Sequence, residues 1–243
     1  MKALYLKEIR SFLSSIIGYV FIIIFLVTSG IFHWVISFDT NLLEGTEADL
    51  IPFFNLSPVI FLILIPAITM RSFAEERRTG TIELLFTRPI SDFQIVMAKF
   101  LAGVTLVLIS LLPTCVYFFT MYYLGEPVGI IDEGATIVSY FGLLMLGSAF
   151  VSIGIFSSAV TSSQIVAFIL SMFLCWFFYD GLEMIGSFGT VGALDKFFKY
   201  CSINYHFDSI KRGVIDTSDL LYFLGIIALF SVASLTVIKS LKK

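Results

Sequence analysis

Few side chains in this sequence could act chemically on a substrate. It holds two histidines, His33 and His206, and three cysteines, Cys115, Cys175 and Cys201, scattered along 243 residues. That spacing matches no metal-ligand pattern, and no metal site is expected. Two of the cysteines lie in apolar stretches, so the thiols suggest no disulfide framework. No G-x-x-x-x-G-K-[ST] segment occurs, so the chain lacks the loop that cradles nucleotide phosphates. The notable carboxylate pair is Glu75–Glu76, followed by Arg77 and Arg78. A glutamate-type membrane protease needs such groups to converge with histidine inside an apolar span. Here the apolar stretches carry no carboxylate, and the pair falls at the edge of one. A secondary transporter would also place titratable groups within the bilayer. His206, between Tyr205 and Phe207, reads as structural. The residues speak against an enzyme.

The elements that must position these groups are membrane helices. Hydrophobic residues make up 58% of the chain and charged ones 14%, against about 25% charged in an ordinary soluble domain. Charges are absent between Arg10 and Asp39, Asp49 and Arg71, Lys99 and Glu126, Glu133 and Asp180, and Asp219 and Lys239. A spanning helix needs about 20 apolar residues, so four gaps fit one span each. The gap 134–179 as one helix would reach roughly 70 Å at 1.5 Å per residue, far beyond a core about 30 Å thick. It therefore holds two spans, with the small polar stretch 157–164 as a tight turn. Six spans are expected, at 16–37, 50–70, 100–124, 135–156, 164–179 and 220–238. The first apolar run is too long for a cleaved leader and lacks a small-residue exit.

Lys and Arg accumulate on the cytoplasmic side of membrane proteins. Placing both termini and the loop 71–99 together leaves only Lys196, Lys199, Lys211 and Arg212 of the 15 basic residues on the opposite side. That opposite, acidic side takes 13 of the 18 acidic residues, in the segments 38–49, 125–134 and 180–219. The basic side is therefore expected to be cytoplasmic.

Before the first span, Tyr5, Leu6, Ile9, Phe12, Leu13 and Ile16 share one helical arc, with Lys7, Glu8, Arg10, Ser11 and Ser14 opposite. Residues 1–15 thus predict an amphipathic interfacial helix. In the loop 71–99, a helix continues from the second span through Arg78. Gly80 supplies a left-handed terminator. A short helix follows, with Ile82, Leu85 and Phe86 facing one way. Pro89 breaks the chain, and Ser91 with Gln94 forms a capping box that opens the next long helix. The expected product is a charged helical knob whose apolar Phe73, Ile82, Leu85 and Phe86 have nothing to cover them. Pro58, Pro66 and Pro113 mark bends. Gly142, Gly147, Ser148 and Gly154 offer a small-residue surface for close helix approach between subunits.

The run Phe73-Ala74-Glu75-Glu76-Arg77-Arg78-Thr79-Gly80-Thr81-Ile82-Glu83-Leu84-Leu85, with Arg88-Pro89-Ile90-Ser91 and Lys99, resembles the inner loop of ABC-2-type transporter permeases. The resemblance runs through most of the chain. It includes Pro66-Ala67-Ile68-Thr69-Met70-Arg71-Ser72 and Tyr205-His206-Phe207-Asp208-Ser209-Ile210-Lys211-Arg212-Gly213. Within that family the sequence looks most like the gliding-motility-associated permease subunit of bacteria.

The resemblance implies a single all-α transmembrane domain over 1–243. It implies a coupling helix between the second and third spans, and re-entrant or outer helices between the fifth and sixth. The coupling surface would comprise Phe73, Glu75, Glu76, Arg77, Arg78, Gly80, Thr81, Ile82, Glu83, Leu85, Phe86, Arg88 and Pro89. The expected partners are a separate ABC ATPase carrying ATP and magnesium, a second permease copy or related subunit, and membrane lipid. No nucleic acid and no cofactor on this chain are expected. The implied location is a bacterial inner membrane with both termini cytoplasmic. The implied activity is movement of a substrate across that membrane. A non-transporting subunit that passes ATP-driven motion to periplasmic partners remains the alternative.

Overall fold

The computed structural model describes residues 1–36, 42, 49–87, 89–187 and 192–242. Among them every regular element is helical. Six helical stretches are long and apolar enough to cross a membrane: Ile16–Trp34, Ile51–Arg78, Asp92–Leu124, Glu133–Val160, Gln164–Gly186 and Thr217–Leu241. The chain is an all-α integral membrane protein.

The first helix, α1 (Lys2–Ser14), turns at an extended Ser15 into α2 (Ile16–Trp34). Ser15 caps α2 by accepting from the Gly18 amide at 3.3 Å. Gly18 is required by the bend, because a Cβ there would lie 2.1 Å from the Phe12 carbonyl oxygen. The face of α1 toward the bundle differs from the expected arc. Leu4 and Glu8 are buried while Leu6 is exposed, and the Tyr5 hydroxyl pairs with Thr105 at 2.9 Å. Glu8 turns inward because a basic partner awaits it on the third span.

The second span starts as α3 (Ile51–Thr69), which runs unbroken through Pro58 and Pro66. A turn at 70–73 leads to α4 (Ala74–Arg78), and α5 (Ile82–Phe86) follows. The third span is α6 (Asp92–Leu111) and α7 (Cys115–Leu124), separated at Pro113 by a tight 3₁₀ turn. It opens on the expected capping box, Ser91 with Gln94. Its helix starts eight residues before the charge-based boundary, since Lys99 lies inside it.

The fourth span, α8 (Glu133–Val160), is the most enclosed of the six. It touches α3, α6 and, through its basic end, α4, and three later elements: α9 (Gln164–Trp176), α12 (Ile203–Ile210) and α13 (Thr217–Leu241). The polar stretch at its end is shorter as a turn than expected. Ser157 and Ser158 remain helical and buried, with the Ser157 hydroxyl donating to the Ile153 carbonyl at 2.9 Å. Only 161–163 connect α8 to α9.

A π-helical turn, Phe177–Gly181, extends α9 into α10 (Leu182–Ser187), and α11 (Gly192–Tyr200) and α12 complete the helices before α13. These helices carry Asp180, Glu183 and Asp219 into the ends of the fifth and sixth spans. The carboxylate-free spans read from the sequence were therefore too short. Lys242 pairs with Asp92, and its Nζ sits 4.9 Å over the Phe86 ring. The C-terminus thus lies beside the loop, on the basic side.

Lipid tails are as apolar as leucine, so membrane helices associate through close packing and polar contacts rather than hydrophobic exclusion. Here the fourth span supplies the small residues, but toward its own chain. A Cβ on Gly154 would lie 2.0 Å from Thr69 Oγ1, one on Gly147 2.9 Å from Val107 Cγ1, and one on Gly142 2.3 Å from Ile210 Cγ2. The expected intersubunit role of Gly142, Gly147 and Gly154 gives way to intrachain contacts, because α8 runs through the middle of the bundle. Ser148 is likewise buried, donating to the Leu144 carbonyl at 2.7 Å.

Candidate functional site

The loop between the second and third spans is built on a hydroxyl from the fourth. Ser158 Oγ accepts from the amides of Phe73 at 2.9 Å and Ala74 at 3.0 Å. It donates to the Met70 carbonyl at 2.9 Å. The first amides of a helix have no intrahelical acceptor, so a side chain from α8 caps α4 across 85 residues of sequence. The Arg77 guanidinium donates to the Ala159 carbonyl at 2.7 Å, where the last carbonyls of α8 want a cation. Loop and span thus satisfy each other's open ends.

A second anchor is ionic. Lys99 Nζ lies 2.9 Å from Glu76 Oε1 and 3.2 Å from Glu8 Oε1, and 4.9 Å over the Phe73 ring. Lys99 is 3% exposed. An isolated charge so enclosed would be costly, and two carboxylates with an aromatic face offset that cost. Lys7 completes the cluster, 3.2 Å from Glu8 and 3.6 Å from Glu76. Partial burial opposes its charge, but Glu8 and Glu76 outweigh burial and raise its pKa above the usual lysine value. A cavity of 180 Å³ opens beside this cluster, with Arg71, Ser72 and Glu75 on its wall. Three elements meet at the site: α1 through Glu8, α4 through Glu76 and α6 through Lys99.

Beyond the anchors the loop projects. Thr79 and Thr81 join hydroxyls at 2.9 Å on either side of Gly80, whose φ is +69°. The left-handed reading of Gly80 holds, and no atom lies within 4 Å of a Cβ built there. The apolar side chains differ from expectation. Phe73 is fully buried and Ile82 is 8% exposed, while Leu85 and Phe86 are half-buried against the core. The bundle itself covers them, because α5 folds back beside the ends of α6 and α13. The exposed apolar residue is Leu84, at 66%, flanked by exposed Glu83. Arg78 and Pro89 are exposed, and Glu75, Glu76 and Arg77 half-buried. Arg88 lies outside the described residues.

A model of the ABC-2 family transporter proteins matches residues 3–240. The chain belongs to the ABC-2 transporter family. Comparison with curated proteins gave no match. An ABC-2 membrane subunit is the permease part of an ABC transporter. Such a subunit works with an ABC ATPase, often as a dimer.

Four residues of this candidate site are absent from the expected coupling surface, Glu8, Leu84, Lys99 and Ser158, although Leu84 and Lys99 stand in the inner-loop run that resembles the family. Lys99 was visible as a charge but read as the edge of a span. Its true depth was signalled by the capping box eight residues earlier, which already placed the helix start at Asp92. Glu8 was hidden on a nominally polar arc. Ser158 carried no signal, since serine in a polar stretch reads equally as turn.

On the acidic side, His206 is buried between two acceptors. Its Nδ1 lies 2.7 Å from Asp219 Oδ1 and its Nε2 3.0 Å from the Tyr200 carbonyl, and Tyr222 stacks on the ring at 4.0 Å. The histidine ties α12 to the start of α13. No cluster of metal-ligating groups occurs among the described residues.

Proposed function

We propose that this chain is the non-hydrolytic permease subunit of an ABC exporter, driven by a separate ATPase that grips the loop 71–89. The observation that carries the reading is the shape of that loop. An exposed apolar residue, Leu84, stands with Glu83 on a short helix beyond a left-handed glycine, on a stem anchored to the third and fourth spans. An apolar centre with a charged rim is the usual anatomy of a protein contact. The coupling surface centres on Thr79, Gly80, Thr81, Glu83 and Leu84, with Glu75, Glu76, Arg77, Arg78 and Pro89 around it. Phe73, Ile82, Leu85 and Phe86 hold the stem from inside. ATP and magnesium belong to the partner.

In this reading the basic side is cytoplasmic, the membrane is a bacterial inner membrane, and a second copy or related subunit completes the unit. The sequence likeness supports a role in gliding motility. A second reading, in which the subunit passes motion to partners outside rather than moving a substrate, is favoured by the grip of α8 on the acidic-side helix α12.

Burying one leucine is worth about 1.5–3 kcal/mol. Leu84→Asp should therefore weaken ATPase binding about 10- to 100-fold. Gly80→Val, penalised by about 1–2 kcal/mol for a left-handed side chain, should mis-aim α5 and lose stimulation of hydrolysis. Both should insert at normal abundance. Co-purification and stimulated ATP hydrolysis are the measurements, and normal values for both variants would refute the coupling role.

Orientation has its own test. A cysteine replacing exposed Val128 should react with an impermeant reagent from outside whole cells, and one replacing Leu84 only after the membrane is opened. The reverse pattern would invert the topology.

A further inference from the structure

The fourth span is held at both ends by the same kind of device. At the basic end, Ser158 caps α4, and Gly154 meets Thr69 with no room for a side chain. At the acidic end, Ser139 Oγ lies 2.9 Å from the Lys211 carbonyl, 3.4 Å from that of Ile210 and 2.8 Å from that of Ala135 in its own helix. Ser139 is buried there. Gly142 meets Ile210 in the same way, and Gly213, with φ +83°, sits where a Cβ would be 2.4 Å from Ala135 Cβ. The residues gripped are the C-terminal end of α12 and the turn after it. Serine hydroxyls that reach another element's open backbone groups fix its position as well as its stability.

The two serines are nineteen positions apart in α8, roughly 28 Å at 1.5 Å per residue, close to the thickness of a bilayer core of about 30 Å. No proline interrupts the helix between them. A continuous helix of that length carries an axial shift or tilt from one end to the other, where a kinked one would absorb it. The third span, by contrast, is interrupted at Pro113.

We propose that α8 is the rod that carries movement of the loop 71–89 across the membrane to α12, with Ser158 and Ser139 as the positioning residues at its two ends. The proposal rests on the coupling role above and adds the route. It assigns α12, and with it the wall of the 600 Å³ acidic-side cavity that includes Asn204, Tyr205 and Asp208, as the element that responds to the ATPase. Contiguity alone does not establish coupling, so the test must read both ends.

The permease–ATPase complex is placed in lipid nanodiscs, and hydrogen exchange is followed in peptides covering 70–78 and 203–210. Each is compared without nucleotide and with ADP-vanadate. In the unmodified complex both peptides should change with nucleotide. In Ser139→Ala the loop peptide should still change, ATP hydrolysis should be stimulated as before, and the nucleotide-dependent change in 203–210 should fall about fivefold or more. Ser158→Ala removes the cap at the base of the loop, and there the change in 203–210, read as a fraction of whatever change remains in 70–78, should fall likewise.

A merely structural role would raise exchange of 203–210 equally in both nucleotide states and leave the difference intact. If Ser158→Ala does not insert, Ser158→Cys keeps the volume with a weaker hydrogen-bonding group and takes its place. Undiminished nucleotide response of 203–210 in both the Ser139 and Ser158 variants overturns the rod. Absence of an ATPase, or of any response in 70–78 of the unmodified complex, defeats the coupling role itself and this route with it.

Discussion

Lys99→Met should nearly abolish the folded protein. The substitution removes the one cation enclosed between Glu8 and Glu76 and leaves two carboxylates facing each other. Breaking a buried ion pair by removing one partner typically costs about 3–5 kcal/mol, a large share of the stability of an ordinary domain. Lys7 remains, but it is mostly exposed, and at 3.6 Å from Glu76 it offers weaker compensation. Membrane abundance and thermal unfolding in detergent are the measurements. The triple change Lys99→Met, Glu8→Gln and Glu76→Gln should recover most of the loss, because replacing a whole buried ion cluster is often near neutral. A Lys99→Met protein as stable as the parent would show that the cluster is not held as described.

Gly154→Val should be the most damaging glycine substitution in the fourth span. Its Cβ would fall 2.0 Å from Thr69 Oγ1 and 2.7 Å from Thr69 Cβ, so the whole threonine must move rather than its tip. Thr69 cannot swing freely, because its hydroxyl donates to the Ile65 carbonyl at 2.8 Å within α3. Overpacking of this kind costs about 1–3 kcal/mol, and here it also parts α8 from the base of the loop. Gly147→Val meets only the end of Val107, at 2.9 Å, and should cost less. Gly225→Ala, with no atom within 4 Å of the added carbon, should leave stability unchanged or slightly raised. Thermal unfolding of the three variants side by side decides it, and an equal effect at Gly154 and Gly225 would contradict the close approach of α8 to α3.

Most of the architecture was legible because lipid imposes it. Charge-free stretches of twenty residues have few alternatives, and all six spans are present. The capping box at Ser91 and the left-handed Gly80 were also readable, since each is a local rule met by local residues. What the sequence hid depends on pairs far apart in the chain. The charge rule marks where an unpartnered lysine must stop a span, but Lys99 has partners at positions 8 and 76, so its helix runs past it. Hydrophobicity marked Phe73 and Ile82 as candidates for a partner's groove, but their own bundle buries them and leaves Leu84 outside. Small residues in α8 do mark close helix approach, as expected, but the neighbour is in the same chain. In the loop after the second span, the sequence set Ile82, Leu85 and Phe86 on an open face, whereas the structure turns them toward the bundle and leaves Glu83 and Leu84 outside.

The ion cluster also has a consequence for how the protein is made. Glu8 leaves the ribosome 91 residues before Lys99, and two spans are already complete when the lysine emerges. Until then, Glu8 and Glu76 lack the ammonium they share. The third span, in turn, arrives with a charge that the bilayer penalises until both carboxylates are in reach. Closure of the cluster therefore waits on the order of synthesis: first helix, second span, third span. A nascent chain with its first helix misplaced, or its second span inverted, would leave that lysine short of a carboxylate, so the placement of three segments is registered at a single ammonium.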